Sequence, residues 1–164
     1  MIRLAQASDL ASIVAIYNAS IPARLATADT EPVSVESRVA WLSERESRYP
    51  VWVFERQGEV LAWLSLGKFY GRPAYAATAE LGFYVAPSAQ RSGLASALLR
   101  HALGEAPKLG HKTLLAFVFS HNLPSIVLCE RFGFAHWGTL PRVALLDARE
   151  RDLSILGLRL PDTA

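Results

Sequence analysis

ELGFYV, Glu80 to Val85, leads through Ala86 to Ala89 into QRSGLASALL, Gln90 to Leu99. An apolar strand is followed by a turn of small and charged residues and then by an apolar helix. That order leaves unpaired backbone N–H groups at the helix start, where an anion can be held. Gly93 and Ala95 have little or no side chain to keep a ligand away from those groups, and Arg91 adds a full positive charge beside the helix dipole. A pyrophosphate fits this geometry. The chain has no G-x-x-x-x-G-K-S/T loop and no G-x-G-x-x-G fingerprint, which sets aside a hydrolysed nucleotide and NAD. Taken alone, Q-x-x-G-x-A also describes ordinary helix initiation, so its surroundings decide the meaning.

Upstream, TAELGFYVA reads as the third of three consecutive strands, after VWVFER and EVLAWLSLG, which Gln57 and Gly58 join in a tight antiparallel turn. Gly82 inside the third strand predicts a bulge or a close approach by another molecule's backbone, and Pro87 ends the strand. KFYGRPAY reads as a loop. Nearer the N-terminus, IRLAQ is a short strand and Ser8 caps a helix carrying Leu10, Ile13, Val14 and Tyr17 at helical spacing. TADTEPVS breaks that helix. Ser34 caps a second one, VESRVAWLSERESR, whose charged outer face reads as solvated surface.

Downstream, a helix from about Ser92 to Ala106 places Leu94, Leu98, Leu99, Ala102 and Leu103 on one face. KTLLAFVFS is apolar without alternation, which predicts a strand buried on both faces. NLPSIVLCERFGF is a further helix, with Asn122 as its cap, Pro124 in its first turn and Gly133 as its stop. FAHWGTL and RDLSILGLRL supply closing strands. The whole is an α/β (α+β) fold, a mixed sheet covered by helices.

The 164 residues, 51% of them hydrophobic, suffice for one well-buried core and predict a single domain over 1–164. A formal charge of +2, with Lys and Arg spread along the chain, argues against a nucleic-acid partner. One Cys excludes an internal disulfide, and four scattered His offer no zinc-ligand spacing, so no metal is expected. Asp9 interrupts the N-terminal apolar residues, unlike a signal peptide, and no window approaches the roughly 18 uninterrupted apolar residues of a membrane span. The expectation is a soluble, cytoplasmic protein without a membrane partner.

With these residues in place, the chain resembles the GCN5-related N-acetyltransferases (GNAT), in which Q/R-x-x-G-x-G/A cradles the pyrophosphate of acetyl-CoA. The resemblance covers nearly the whole chain. Within that superfamily it is most similar to the phosphinothricin and methionine sulfone N-acetyltransferase group. The shared motifs are AIYN (15–18), EPVS (31–34), RPAY (72–75), T-x-E at Thr78 to Glu80, YV at Tyr84 and Val85, and N-x-x-S-I-x-L-x-E-R-x-G-F from Asn122 to Phe134. The resemblance implies a mostly antiparallel sheet, acetyl-CoA as cosubstrate, a small amino-acid-like amine as acceptor and, by analogy, a homodimer. It assigns the cosubstrate to Phe83, Tyr84, Val85, Gln90, Arg91, Ser92, Gly93, Leu94, Ala95, Ser96, Asn122 and Ser125. It assigns the acceptor to Arg72, Tyr75 and Thr78.

Acetyl transfer from a thioester needs an uncharged amine, a hold on the thioester, a stabilised oxyanion and a departing thiolate. Glu80 is the candidate base. It lies in a mostly apolar run where desolvation raises its pKa, and the resemblance gives it the amine's proton; the alternative is a surface-facing Glu on an edge strand. A bulged GFYV would free backbone groups of Phe83 to Val85 for the pantetheine arm while their side chains pack as core. Asn122 is open to two roles, helix cap and CoA contact. Arg72 has a guanidinium suited to an acceptor carboxylate, or it is a solvent-exposed loop residue.

Cys129 stands where the resembling proteins have Tyr or His as the acid for the thiolate. A thiol of pKa about 8.5 is already a tolerable leaving group near neutral pH, and Cys129 reads as a buried helix residue. An acetyl-enzyme on Cys129 would need an activating base, and none is adjacent in sequence. Ala76 and Ala28 replace an Arg and a Phe usual in the group, predicting a wider and less cationic pocket. Trp41, Trp52, Trp63 and Trp137 read as core or interface. Two other functions fit the sequence, a non-catalytic CoA-binding sensor or interaction module and an acetyltransferase for protein N-termini or lysines.

Overall fold

Gln57 and Gly58 take positive φ angles of 52° and 80°, the conformation that reverses a chain between two twisted strands. They join β2 (Val51–Arg56) to β3 (Glu59–Lys68). The structure is a computed structural model that describes residues 1–162. The remaining strands are β1 (Ile2–Leu4), β4 (Thr78–Val85), β5 (Thr113–Phe119), β6 (Ala135–Leu146) and β7 (Arg149–Arg159). They form a seven-stranded sheet in the order β1-β2-β3-β4-β5-β7-β6. Every neighbouring pair is antiparallel except β4 and β5, so the sheet is mixed and mostly antiparallel as expected.

Period-two alternation sends successive side chains of β2, β3 and β4 to opposite faces. One face carries Trp52, Leu64, Leu66, Ala79 and Leu81 and is covered by α3 (Leu94–Glu105) and α4 (Leu123–Arg131). Leu98 and Leu99 are fully buried there, each stabilising the fold by about 1.5–3 kcal/mol. The other face carries Val51, Val53 and Trp63 and is covered by α1 (Leu10–Ala19) and α2 (Val39–Ser43). Glu80, Gly82 and Tyr84 share that second face by the same alternation. β5 is buried along nearly its whole length, as its unbroken apolar run predicts.

Several local expectations are corrected. Ser8 does not cap α1; the carboxylate of Asp9 instead accepts from Gln6 N at 2.7 Å and pairs with Arg3 at 2.7 Å. Its acidity is increased chiefly by that Arg3 hydrogen bond. Ser34 Oγ does accept from Ser37 N at 3.1 Å, but the helix it starts ends at Ser43 and not near Arg48. There Arg45 bends back to the sheet, donating to the carbonyls of Tyr49 and Leu66. No bulge occurs at Gly82, because β4 keeps unbroken register with β3. The irregularity lies on the opposite edge of β4, toward β5. β6 runs well past GTL, because left-handed Asp147 and Ala148 close a tight hairpin with β7.

Candidate active site

α3 starts from a turn that is open by construction. Arg91 and Gly93 both take left-handed φ, 61° and 80°, and Ser92 Oγ donates to the Ala89 carbonyl. Gly93 is the N-cap and no side chain bonds the first-turn amides. A Cβ on Gly93 would meet nothing within 4 Å, so the approach to those N–H groups is clear. Arg91 and Ser92 are exposed beside them, with Ala95 and Ser96 on the first turn behind. Aligned amides with a partial positive charge, unobstructed and next to a guanidinium, suit a diphosphate.

β4 runs toward this turn along a seam that opens. It pairs with β5 only at Thr78, Ala79 and Glu80, after which the two parallel strands part. The gap is a cavity of about 380 Å³ whose walls include Gly82, Phe83, Tyr84, Phe117, Asn122 and Ser125. Val85 lies farther along β4 and packs toward the core. Asn122 Oδ1 accepts from Ser125 N at 3.4 Å, as the cap reading expects, and its Nδ2 donates to the Leu25 carbonyl at 3.2 Å. The connection after α1 is thereby tied over the cavity. His121 Nε2 donates to Arg24 O at 2.8 Å, and Arg24 pairs with Asp147 at 2.9 Å.

A second cavity, of about 330 Å³, lies on the α1 side and is walled by Tyr17, Arg38, Trp41, Arg45, Trp63 and Tyr84 among others. Glu80, Leu81, Gly82 and Tyr84 line both cavities. Glu80 is reachable by solvent from them, yet the surrounding protein desolvates its carboxyl and pushes its pKa up. It has no ion-pair partner among the described residues. A carboxylate held that way is a better proton acceptor than one in bulk water.

The remaining candidates are scattered. Arg72 and Tyr75 line a separate cleft with Glu46, Arg48, Lys68 and Ala76 and do not share a cavity with Glu80. Thr78 opens β4 opposite Thr113. Ala28 lines the seam cavity. Cys129 is fully buried in the core between α4 and the sheet, and burial pushes its thiol up to about 11. Burial of Tyr84, foremost, raises its phenol as well. The sequence reading missed Arg38 and Arg45, placed on a solvated helix face, and took Trp41 and Trp63 as plain core. Their signal was the aromatic residue set between the two arginines.

A sheet parted beside an open helix start, with a desolvated carboxylate where two cavities meet, has the form of an enzyme site. The sequence profile of the Acetyltransferase (GNAT) family matches residues 13–134, and the chain belongs to that family of acetyltransferases. YwnH of Bacillus subtilis, provisionally named a phosphinothricin acetyltransferase, is 48% identical over 160 residues, covering 97% of this chain and 98% of its own. The L-methionine sulfoximine/L-methionine sulfone acetyltransferase of Salmonella typhimurium is 32% identical over 164 residues, covering 99% and 96%. The solved structure of yncA from Salmonella typhimurium, with its cofactor acetyl-CoA, superposes with a TM-score of 0.93 at 32% identity over 100% of this chain and 95% of that one.

Proposed function

We propose that the protein transfers the acetyl group of acetyl-CoA to the amine of a small amino acid or amino-acid-like compound, of the phosphinothricin or methionine sulfone type. The observation that carries this reading is Glu80, a desolvated carboxylate on the wall common to the seam cavity and the α1-side cavity. The turn Gln90–Ser96 takes the diphosphate, and the seam edge of Phe83 to Val85 takes the pantetheine arm by its backbone. The cosubstrate supplies a thioester. Glu80 receives a proton from the acceptor's ammonium and leaves a neutral amine, whose lone pair forms the N–C bond as the C–S bond breaks; the thiolate departs, and the surplus proton on the new amide nitrogen passes to it or to solvent. Cys129 takes no part, being buried away from both cavities.

These steps call on no metal. The reading treats residues 1–164 as one cytoplasmic domain that pairs as a homodimer. The exposed Trp137, Leu140, Val143 and Leu145 of edge strand β6 are consistent with such a pairing. No helix among the described residues is long and apolar enough to cross a membrane. The test is release of free CoA thiol from acetyl-CoA against a panel of amines that includes methionine sulfone, phosphinothricin and short peptides. Release with free amino acids ahead of peptides is expected. Tight CoA binding without release for any amine would overturn the reading.

A further inference from the structure

The α1-side cavity carries charge that the fold compensates loosely or not at all. Arg45 spends Nε on the Tyr49 carbonyl at 2.7 Å and Nη2 on Leu66 O, so it is held by neutral acceptors and no carboxylate answers its charge. Arg38 is held only loosely. Its Nη2 forms a long ion pair with Asp29 Oδ2 at 3.6 Å, beyond hydrogen-bond reach, and that oxygen also accepts from the hydroxyl of Tyr17. The Arg38 guanidinium rests over the Tyr17 ring at 5.7 Å with its fork of donors unspent. In the same cavity is Glu80, which has no ion-pair partner among the described residues.

Between the two charged ends the wall is aromatic. Trp63 lies tilted against Tyr84 at 4.7 Å and meets Trp41 edge-on at 5.6 Å, while Tyr17 meets Tyr84 edge-on at 5.1 Å. A cavity with a loosely held cation whose hydrogen-bond donors are unspent, an unpaired anion and an aromatic wall complements a zwitterion with an apolar or softly polar side chain. We infer that Arg38 binds the acceptor's carboxylate, with Trp41 and Trp63 against its side chain, and that the enzyme thereby selects free α-amino acids over amines lacking that carboxylate. Arg72 lines a separate cleft. The inference rests on the acetyl transfer proposed above and names the determinant of its acceptor.

Calorimetry with CoA present, titrating L-methionine sulfone and its carboxamide into the full chain, reads this without turnover. The wild-type chain is expected to prefer the acid about 10- to 100-fold, the size of one charge-assisted pair. Arg38→Met should abolish most of that preference while leaving CoA affinity and amide affinity within about threefold. Arg38→Lys, which keeps the charge but loses the fork, should retain part of it. Equal binding of acid and amide by the wild-type chain, or an unchanged preference in both variants, overturns the inference. Acid-selective binding without thiol release would defeat acetyl transfer and leave the role of Arg38 standing, so the two ideas fail separately.

Discussion

The two edges of β4 are held in opposite ways. Toward β3 the strand keeps seven register pairs, from Lys68↔Ala79 to Ala62↔Val85; toward β5 it keeps three and then lets go. β5 in turn holds seven pairs with β7 on its far side. The sheet is thus two well-laced antiparallel halves joined by a short parallel seam. Backbone groups need partners, and those the seam leaves over on Leu81 to Tyr84 border the cavity that Asn122 and Ser125 line. Laced edges supply rigidity, and the open edge supplies a place to bind.

The largest effect is expected where the seam ends. Glu80→Gln should lower kcat/KM by about 10²- to 10⁴-fold at neutral pH, with CoA affinity measured by calorimetry unchanged. In the wild-type chain the acid limb of kcat/KM should lie above the ordinary carboxylate range, since burial raises the Glu80 pKa. Activity is lost as pH falls through that raised value. Stability runs the other way: the protonated form favours the fold fully below the unfolded pKa, and that advantage is lost as pH rises through the folded one. A fall in rate on the acid side is therefore titration of the base, which a melting curve at the same pH distinguishes from unfolding.

A smaller effect sharpens the contrast directly. In hydrogen exchange, the amides of Leu81 to Val85 that point toward β5 should exchange readily in the free protein and slow by about tenfold or more with CoA. The β5 amides bonded to β7 should be slow in both states. Equal protection of the two edges without ligand would break the comparison. The smallest expected effect is at Cys129→Ala, on the α4 side of the core. Stability should fall by about 1 kcal/mol, read by denaturant melting, while kcat stays within about twofold, because a thiol buried away from both cavities cannot protonate a leaving group.

Much of the architecture could be read from residue order. Gln57-Gly58, the apolar run of β5, and the Asn122, Pro124 and Gly133 signals of α4 are local, and local chemistry decides them. The turn Gln90–Ser96 was legible for the same reason, since left-handed residues and a bare helix start are written in one short segment. Other features depend on partners far away in sequence. Whether Gly82 bulges was decided by β3, and the true irregularity appears only when β5 is set beside β4. Arg38 and Arg45 looked like solvated charges because helical spacing alone puts them outward; the early end of α2 and the carbonyls of Tyr49 and Leu66 turn Arg45 in. Glu80 was singled out as a candidate from its apolar neighbours and the resemblance, but its position between two cavities is a tertiary fact.

β7 comes last among the strands in sequence, yet it lies between β5 and β6 in space. A chain emerging from a ribosome can form the β2–β3 hairpin and the α3 turn early, from contacts of short range. The half-sheet that backs Asn122 has no inner support until residues 149–159 have been made. Catalytic competence thus arrives late in synthesis, and a ribosome that stalls after β6 leaves β5 with a bare edge open to aggregation. The order of the strands makes synthesis of β7 a condition for assembling the half-sheet behind Asn122.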